Sequence, residues 1–152
     1  MSEKLTKKAV AAWAYVERLN WPVFPCHSVR ENGVCTCGNL ACKDQGKHPW
    51  TEHGFKDASR DKGTIASWWS ERPDANIAIP TGATSGFIAV DVDPRGGGTE
   101  SLEDLEAEHG PLPHTVEAIT GSGGRHILFK HPGFSVKNDN KGKVVAPQNS
   151  VE

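Results

Sequence analysis

All four cysteines of the chain fall between positions 26 and 42. That confinement constrains the fold more than any other feature. A disulfide framework would spread its cysteines through a secreted chain. Four thiols in one short stretch read instead as a metal loop in a reducing cytosol. His27 and His48 bracket it, and the loop spans residues 26–48. Zn2+ takes four ligands in a tetrahedron, at about 2.3 Å for sulfur and about 2.0 Å for nitrogen. The candidates are Cys26, His27, Cys35, Cys37, Cys42 and His48. Cys26 and His27 are neighbours at the end of an expected strand, so their side chains point to opposite faces and one of them reaches the metal. Cys35-Thr36-Cys37-Gly38 is a tight turn, in which Gly38 lets the chain fold back beneath an ion. The first choice of ligands is His27, Cys35, Cys37 and Cys42, with Cys26 facing the core. The competing sets replace His27 with Cys26 or His48. A closed four-ligand zinc site is structural.

The chain has 152 residues, which fits one domain over 1–152. Lys and Arg number 17 against 19 Asp and Glu, a net charge of −2. That excludes the bulk basicity of a protein that coats nucleic acid, so nucleic-acid binding would need a local patch. The longest purely apolar run is a few residues, too short to span a membrane. Met1-Ser2-Glu3-Lys4 is followed by no apolar segment of the secretory kind. The expectation is a cytoplasmic protein with no membrane partner.

Leu5, Ala9, Trp13, Val16 and Leu19 recur every three or four residues, one face of an amphipathic helix over 6–20 that Pro22 ends. Val23-Phe24-Pro25 reads as a strand feeding the metal loop. Asp61 caps a second helix to Glu71 carrying Ile65, Trp68 and Trp69, and Pro73 closes it. Helical spacing puts at least one of the two tryptophans in the core. Residues 76–80 alternate like a strand. Phe87-Ile88-Ala89-Val90 is an apolar run expected of a strand covered on both faces. Thr99 is expected to cap a third helix over 100–109. Val116 to Thr120 and His126 to Phe129 form a hairpin around a Gly-rich turn, and Val144-Val145-Ala146 is a last strand. Helices mix with antiparallel strands, so the fold class is α+β, with mixed or antiparallel sheets flanked by helices.

Two constellations can do chemistry. In Asp91-Val92-Asp93, strand alternation projects both carboxylates to one side. Their charges call for a cation, and hard oxygen ligands suit Mg2+ or Mn2+. Two such ions can activate a 3′-hydroxyl and stabilise a departing pyrophosphate. In Gly121-Ser122-Gly123-Gly124-Arg125-His126, glycines bring backbone N–H groups close to an anion, and a compact turn forms a phosphate nest. Ser122, Gly124, Arg125 and His126 are its donors. The Walker pattern is absent. Metal-binding acids beside a phosphate cradle suit nucleotidyl transfer.

The ordered series of motifs resembles the bifunctional primase–polymerase N-terminal domain of phage and plasmid replication proteins, within the archaeo-eukaryotic primase superfamily. The matching segments are Pro25-Cys26-His27, Cys35-Thr36-Cys37-Gly38 with Cys42, Gly46-Lys47-His48-Pro49, Gly54-Phe55-Lys56-Asp57-Ala58, Trp68-Trp69, Pro73-Asp74-Ala75-Asn76-Ile77, Thr81-Gly82, Asp91-Val92-Asp93-Pro94 and Gly121-Ser122-Gly123-Gly124-Arg125-His126. The resemblance implies a primase-like core and a template-dependent DNA primase and polymerase. It makes Asp91 and Asp93 catalytic metal ligands and His126 the catalytic histidine on the nucleotide triphosphate. The family's zinc loop falls on His27, Cys35, Cys37 and Cys42. The implied partners are single-stranded template DNA, dNTP or NTP, and a helicase domain on a longer full-length chain from which this domain is excised. The family's third motif departs here. Val144-Val145-Ala146-Pro147 is present, but no acid precedes it at the expected place. Either a segment is absent or Asp139 substitutes for that acid, and the linker-like join at Gly142-Lys143-Val144 favours the first.

The competing reading is a catalytically incomplete, zinc-bearing DNA-binding module of a replication protein. A third is a metal-dependent phosphohydrolase built on Asp91 and Asp93. Metal-dependent dNTP incorporation on a primed template separates the first reading from both.

Overall fold

The computed structural model describes residues 6–138. Asp139 and the expected strand at Val144-Val145-Ala146 lie outside the described residues. The chain divides into two compact units between Gly86 and Phe87. Among the described residues there are three α-helices and two small antiparallel sheets, so the class is α+β.

Unit 1 begins with α1, Lys7–Leu19. Thr6 caps it by accepting a hydrogen bond from the Ala9 amide, 3.1 Å away. Asn20 ends it in the left-handed conformation at φ 54°. The buried stripe is Ala9, Ala12 and Val16. Small residues there let α1 lie close against α2, Lys62–Glu71. Asp61 caps α2 by accepting from the Thr64 amide at 2.7 Å. Its inner face carries Ile65 and Trp69. Trp69 is fully buried, and its indole N–H donates to the Ala75 carbonyl at 3.0 Å, which satisfies the one polar atom that burial would strand. Trp68 is half-buried and packs against the same core. In the same unit β1, Phe24–Cys26, pairs antiparallel with β2, Asn76–Ala78. Cys26 is buried, as expected of the core-facing member of its pair.

Unit 2 is a three-stranded sheet in the order β3-β5-β4: β3 is Phe87–Val92, β4 Glu117–Ile119 and β5 Arg125–Lys130. The β4–β5 hairpin forms as expected, with the Thr120 amide donating to the Gly124 carbonyl at 2.9 Å. Two expectations need correction. β3 is not covered on both faces within its unit: Ala89 is exposed and Ile88 and Val90 are half-buried. The third helix, α3, spans Gly98–His109 and is not capped by Thr99. It starts two residues earlier, from Gly97 at φ 76°, because the Gly98 amide donates to the Asp93 carbonyl at 3.0 Å. A Cβ on Gly98 would stand 2.7 Å from that carbonyl oxygen, so only glycine lets the helix begin there.

Candidate metal cluster and candidate nucleotidyl-transfer site

The metal loop folds on backbone pairing rather than on a core of its own. The His27 amide donates to the His48 carbonyl at 2.9 Å, and the Trp50 amide to the Pro25 carbonyl at 3.0 Å. Across the other arm, Thr36 donates its amide to the Ser28 carbonyl at 2.9 Å. These contacts bring Cys35, Cys37, Cys42 and His48 together, with their ligand atoms all within 4.8 Å of one another. Cys35 Sγ and His48 Nε2 are 3.5 Å apart. A tetrahedron with zinc's bond lengths requires about 3.5–3.6 Å along a sulfur–nitrogen edge. The donor set and spacing therefore fit a metal such as zinc.

His48, not His27, supplies the nitrogen of this cluster. The physical reason is the pairing of the two histidine backbones, which sets their rings side by side with centroids 4.4 Å apart. The His27 Nδ1 is engaged with the Thr36 hydroxyl at 3.0 Å. Burial lowers the pKa of His27, and the neighbouring His48 and Arg72 lower it further, which keeps a second cation away from the cluster.

The thiols are unequal. Hydrogen bonding from the Cys37 backbone pulls Cys35 down to about 6 against the opposing effect of burial, with further help from Gly46 and His48. Burial, together with the neighbouring Cys37 and Cys35, pushes Cys42 up to about 11. Cys26, outside the cluster, is raised to about 11 by burial. Thiolate is the metal-binding form, so Cys35 is the ligand most prepared for an ion.

In unit 2 the register aligns Asp91 with His126 and Val92 with Arg125. Asp91 Oδ1 lies 3.5 Å from His126 Nε2. Asp93 follows β3 in extended conformation, as the alternation requires, but its carboxylate has a local partner. Arg95 grips it from both sides, Nε to Oδ1 and Nη2 to Oδ2 at 3.1 Å each, and the Arg95 amide donates to Oδ1 at 3.0 Å. Asp91, Asp93 and His126 do not gather into a cluster like that of unit 1. Sequence reasoning missed Arg95 as a partner of Asp93; the i, i+2 spacing after a strand end, with Pro94 turning the chain, was the available signal.

The Gly-rich turn is occupied by its own hydrogen bonds. The Gly123 amide donates to the Thr120 carbonyl at 3.0 Å, and the Gly124 amide to the Thr120 hydroxyl at 2.9 Å. The Gly124 N–H, expected to face phosphate, is thus taken. Gly124 is glycine for another reason: a Cβ there would stand 2.6 Å from the Val92 carbonyl oxygen. The Ser122 hydroxyl meets that of Thr120 at 3.1 Å, and Arg125 pairs with Glu117 at 3.3 Å. His126 stands at the exposed sheet surface beside Asp91.

These features define a mixed α+β protein with a Cys3His cluster that could hold a metal ion and an acid–histidine pair at one end of a sheet. Over residues 12–149 the chain matches the family of bifunctional DNA primase/polymerase N-terminal domains, and it belongs to that family. The family is one of DNA primases and polymerases, nucleotidyltransferases whose substrates are DNA and nucleotides. No curated protein and no solved structure matches the chain. No helix among the described residues is long and apolar enough to cross a membrane.

Proposed function

We propose that this chain is a template-dependent DNA primase and polymerase of phage or plasmid replication, built on a primase-like core. The observation that carries the reading is the direct cross-strand pairing of Asp91 with His126. It joins the acid of one motif to the histidine of the other at one sheet end.

Asp91 and Asp93 would hold the catalytic Mg2+ or Mn2+. Their chemistry fits: both are oxygen donors, and Asp93 already accepts a cation, the Arg95 guanidinium. When bound, such ions neutralise the triphosphate and activate a 3′-hydroxyl. The chain's own residues do the rest. His126 donates to the triphosphate of the incoming dNTP or NTP. Ser122 and Arg125 reach its outer oxygens, Arg125 after leaving Glu117. For Asp93 to hold such an ion, Arg95 would have to release its carboxylate. Gly124 brings β5 against β3 and holds the two motifs in register. The single-stranded template supplies base selection, so the protein needs only backbone and phosphate contacts. Zn2+ on Cys35, Cys37, Cys42 and His48 has a structural role, and a helicase domain on the full-length chain supplies unwinding in the host cytosol.

The hold of Arg95 on Asp93 favours a second reading, a zinc-bearing DNA-binding module without catalysis. Incubating the zinc-loaded chain with a primed template, dNTPs and Mn2+ separates the two. Extended products that need Mn2+ support the polymerase; template binding without extension supports the module. His126→Ala is expected to raise the apparent nucleotide KM roughly tenfold to a hundredfold, the worth of a charge-assisted phosphate contact, and to leave template affinity unchanged.

A further inference from the structure

Beside the metal cluster, unit 1 contains a recess of about 160 Å³ lined by His27, Ser28, Thr36, Arg72 and Asp74, among others. Liquid water takes roughly 30 Å³ per molecule, so the space suits one tetrahedral anion or a few waters. Arg72 dominates its chemistry. The residue ends α2, where its amide donates to the Trp68 carbonyl. Its guanidinium carbon stacks 4.8 Å over the Trp50 ring. Its Nε is shut off from solvent and has no hydrogen-bond partner. Asp74 lines the same recess, yet no ion pair forms between it and Arg72 among the described residues. Ser28, a buried polar residue at 8% exposure, lines the recess as well. Its amide donates to the Thr36 hydroxyl at 3.0 Å.

A buried donor without a partner is costly to keep. A guanidinium stacked on an aromatic face presents its in-plane donors as a fork, matched to a carboxylate or phosphate edge. The cation argues against a metal or an amine as occupant. Cys26, Pro73 and Ala75 share the lining, so it is the guanidinium that sets the charge of the occupant. We infer that this recess is a binding subsite for a phosphate-class oxyanion, gripped by Arg72 and Ser28. Nothing in the inference uses Asp91, Asp93 or catalysis. The phosphate can come from a nucleic-acid strand or from a free phosphate, and the two sources are experimentally distinct.

The test is NMR of the 15N-labelled, zinc-loaded chain. The Arg72 Nε–H resonance is identified through its proximity to the Trp50 ring, so no variant is needed. Two probes are titrated separately: an oligothymidylate and inorganic phosphate. A saturable shift of this resonance with the oligothymidylate at concentrations where inorganic phosphate has no effect supports a strand phosphodiester. A saturable shift with inorganic phosphate alone supports a free anion. A resonance that neither probe moves overturns the inference. In parallel, Arg72→Lys keeps the charge and removes the fork. It is expected to weaken binding of the effective probe about tenfold, with zinc content unchanged. Unchanged affinity in a folded Arg72→Lys chain also overturns the inference. If that variant fails to fold, the NMR titration of the unaltered chain decides.

Discussion

Asp91 and His126 stand directly opposite each other on β3 and β5, with Oδ1 3.5 Å from Nε2. Two motifs far apart in sequence meet only because the strands pair in this register. A slip of one residue would send His126 to the other face of the sheet and break the pair. The register is guarded one step further along, where Gly124 lies against the Val92 carbonyl with no room for a side chain.

Gly124→Ala should therefore disturb both stability and register. The added methyl meets backbone rather than a flexible side-chain end. Overpacking of this kind costs about 1–3 kcal/mol. The melting temperature is expected to fall, and the chemical shifts of Asp91 and His126 to move together. An unchanged melting curve would mean that the hairpin yields without cost.

The metal prediction is one equivalent of zinc per chain, lost or sharply weakened in His48→Ala and Cys35→Ser and retained in His27→Ala. Elemental analysis of protein purified without added metal reads it directly. The distinction follows from the 3.5 Å Cys35–His48 edge and from the hydrogen bond of His27 to Thr36. Zinc lost from His27→Ala and kept in His48→Ala would reverse the assignment.

Trp69 anchors the unit 1 core. It is fully buried and its indole N–H serves the Ala75 carbonyl. Trp69→Ala is expected to cost about 3–5 kcal/mol. Trp69→Phe keeps most of the volume and should cost less, chiefly through the hydrogen bond it removes. Equal melting temperatures for the two variants would show that the hydrogen bond, not the packing, matters there.

Asp61 gives a pH dependence with a definite sign. Hydrogen bonds from the Thr64 amide and hydroxyl, and from the Gly63 amide, lower its pKa below the ordinary 3.8. A depressed carboxylate contributes stability that is present above its unfolded pKa and is lost as pH falls through the folded one. Asn also caps helices but does not titrate in this range. Asp61→Asn should thus melt below the wild type at neutral pH, and the gap should close in acid below the ordinary carboxylate range. A gap that stays constant across the acid limb would contradict the linkage.

Local chemistry made much of this legible in the sequence. Thr6, Asn20 and Pro22 bound α1, and Asp61 caps α2, because capping is a matter of a few adjacent residues. The thiol membership of the metal cluster was legible for the same reason. The fourth member of the cluster was not, since backbone pairing across the whole loop brings His48 rather than His27 to the thiols. The start of α3 was misread at Thr99 because the true signal is a steric one, the approach of Gly98 to the Asp93 backbone. The engagement of Asp93 by Arg95 was missed for a similar reason. Alternation tells where a strand residue points, and not which neighbour turns back to meet it.

The central claim is that Asp91 and Asp93 are the metal-binding acids of a nucleotidyl-transfer site. Primer extension with Mn2+ by Asp91→Ala and Asp93→Ala, read beside their thermal melting and zinc content, tests it most directly. Both side chains are substantially exposed, at 70% and 45%, so each variant should fold and keep its zinc. Extension is expected to fall by a factor on the order of a hundred to a thousand, the usual worth of a group that stabilises transition-state charge. Wild-type extension rates in either folded variant would contradict the account and send the search for the metals elsewhere in the chain.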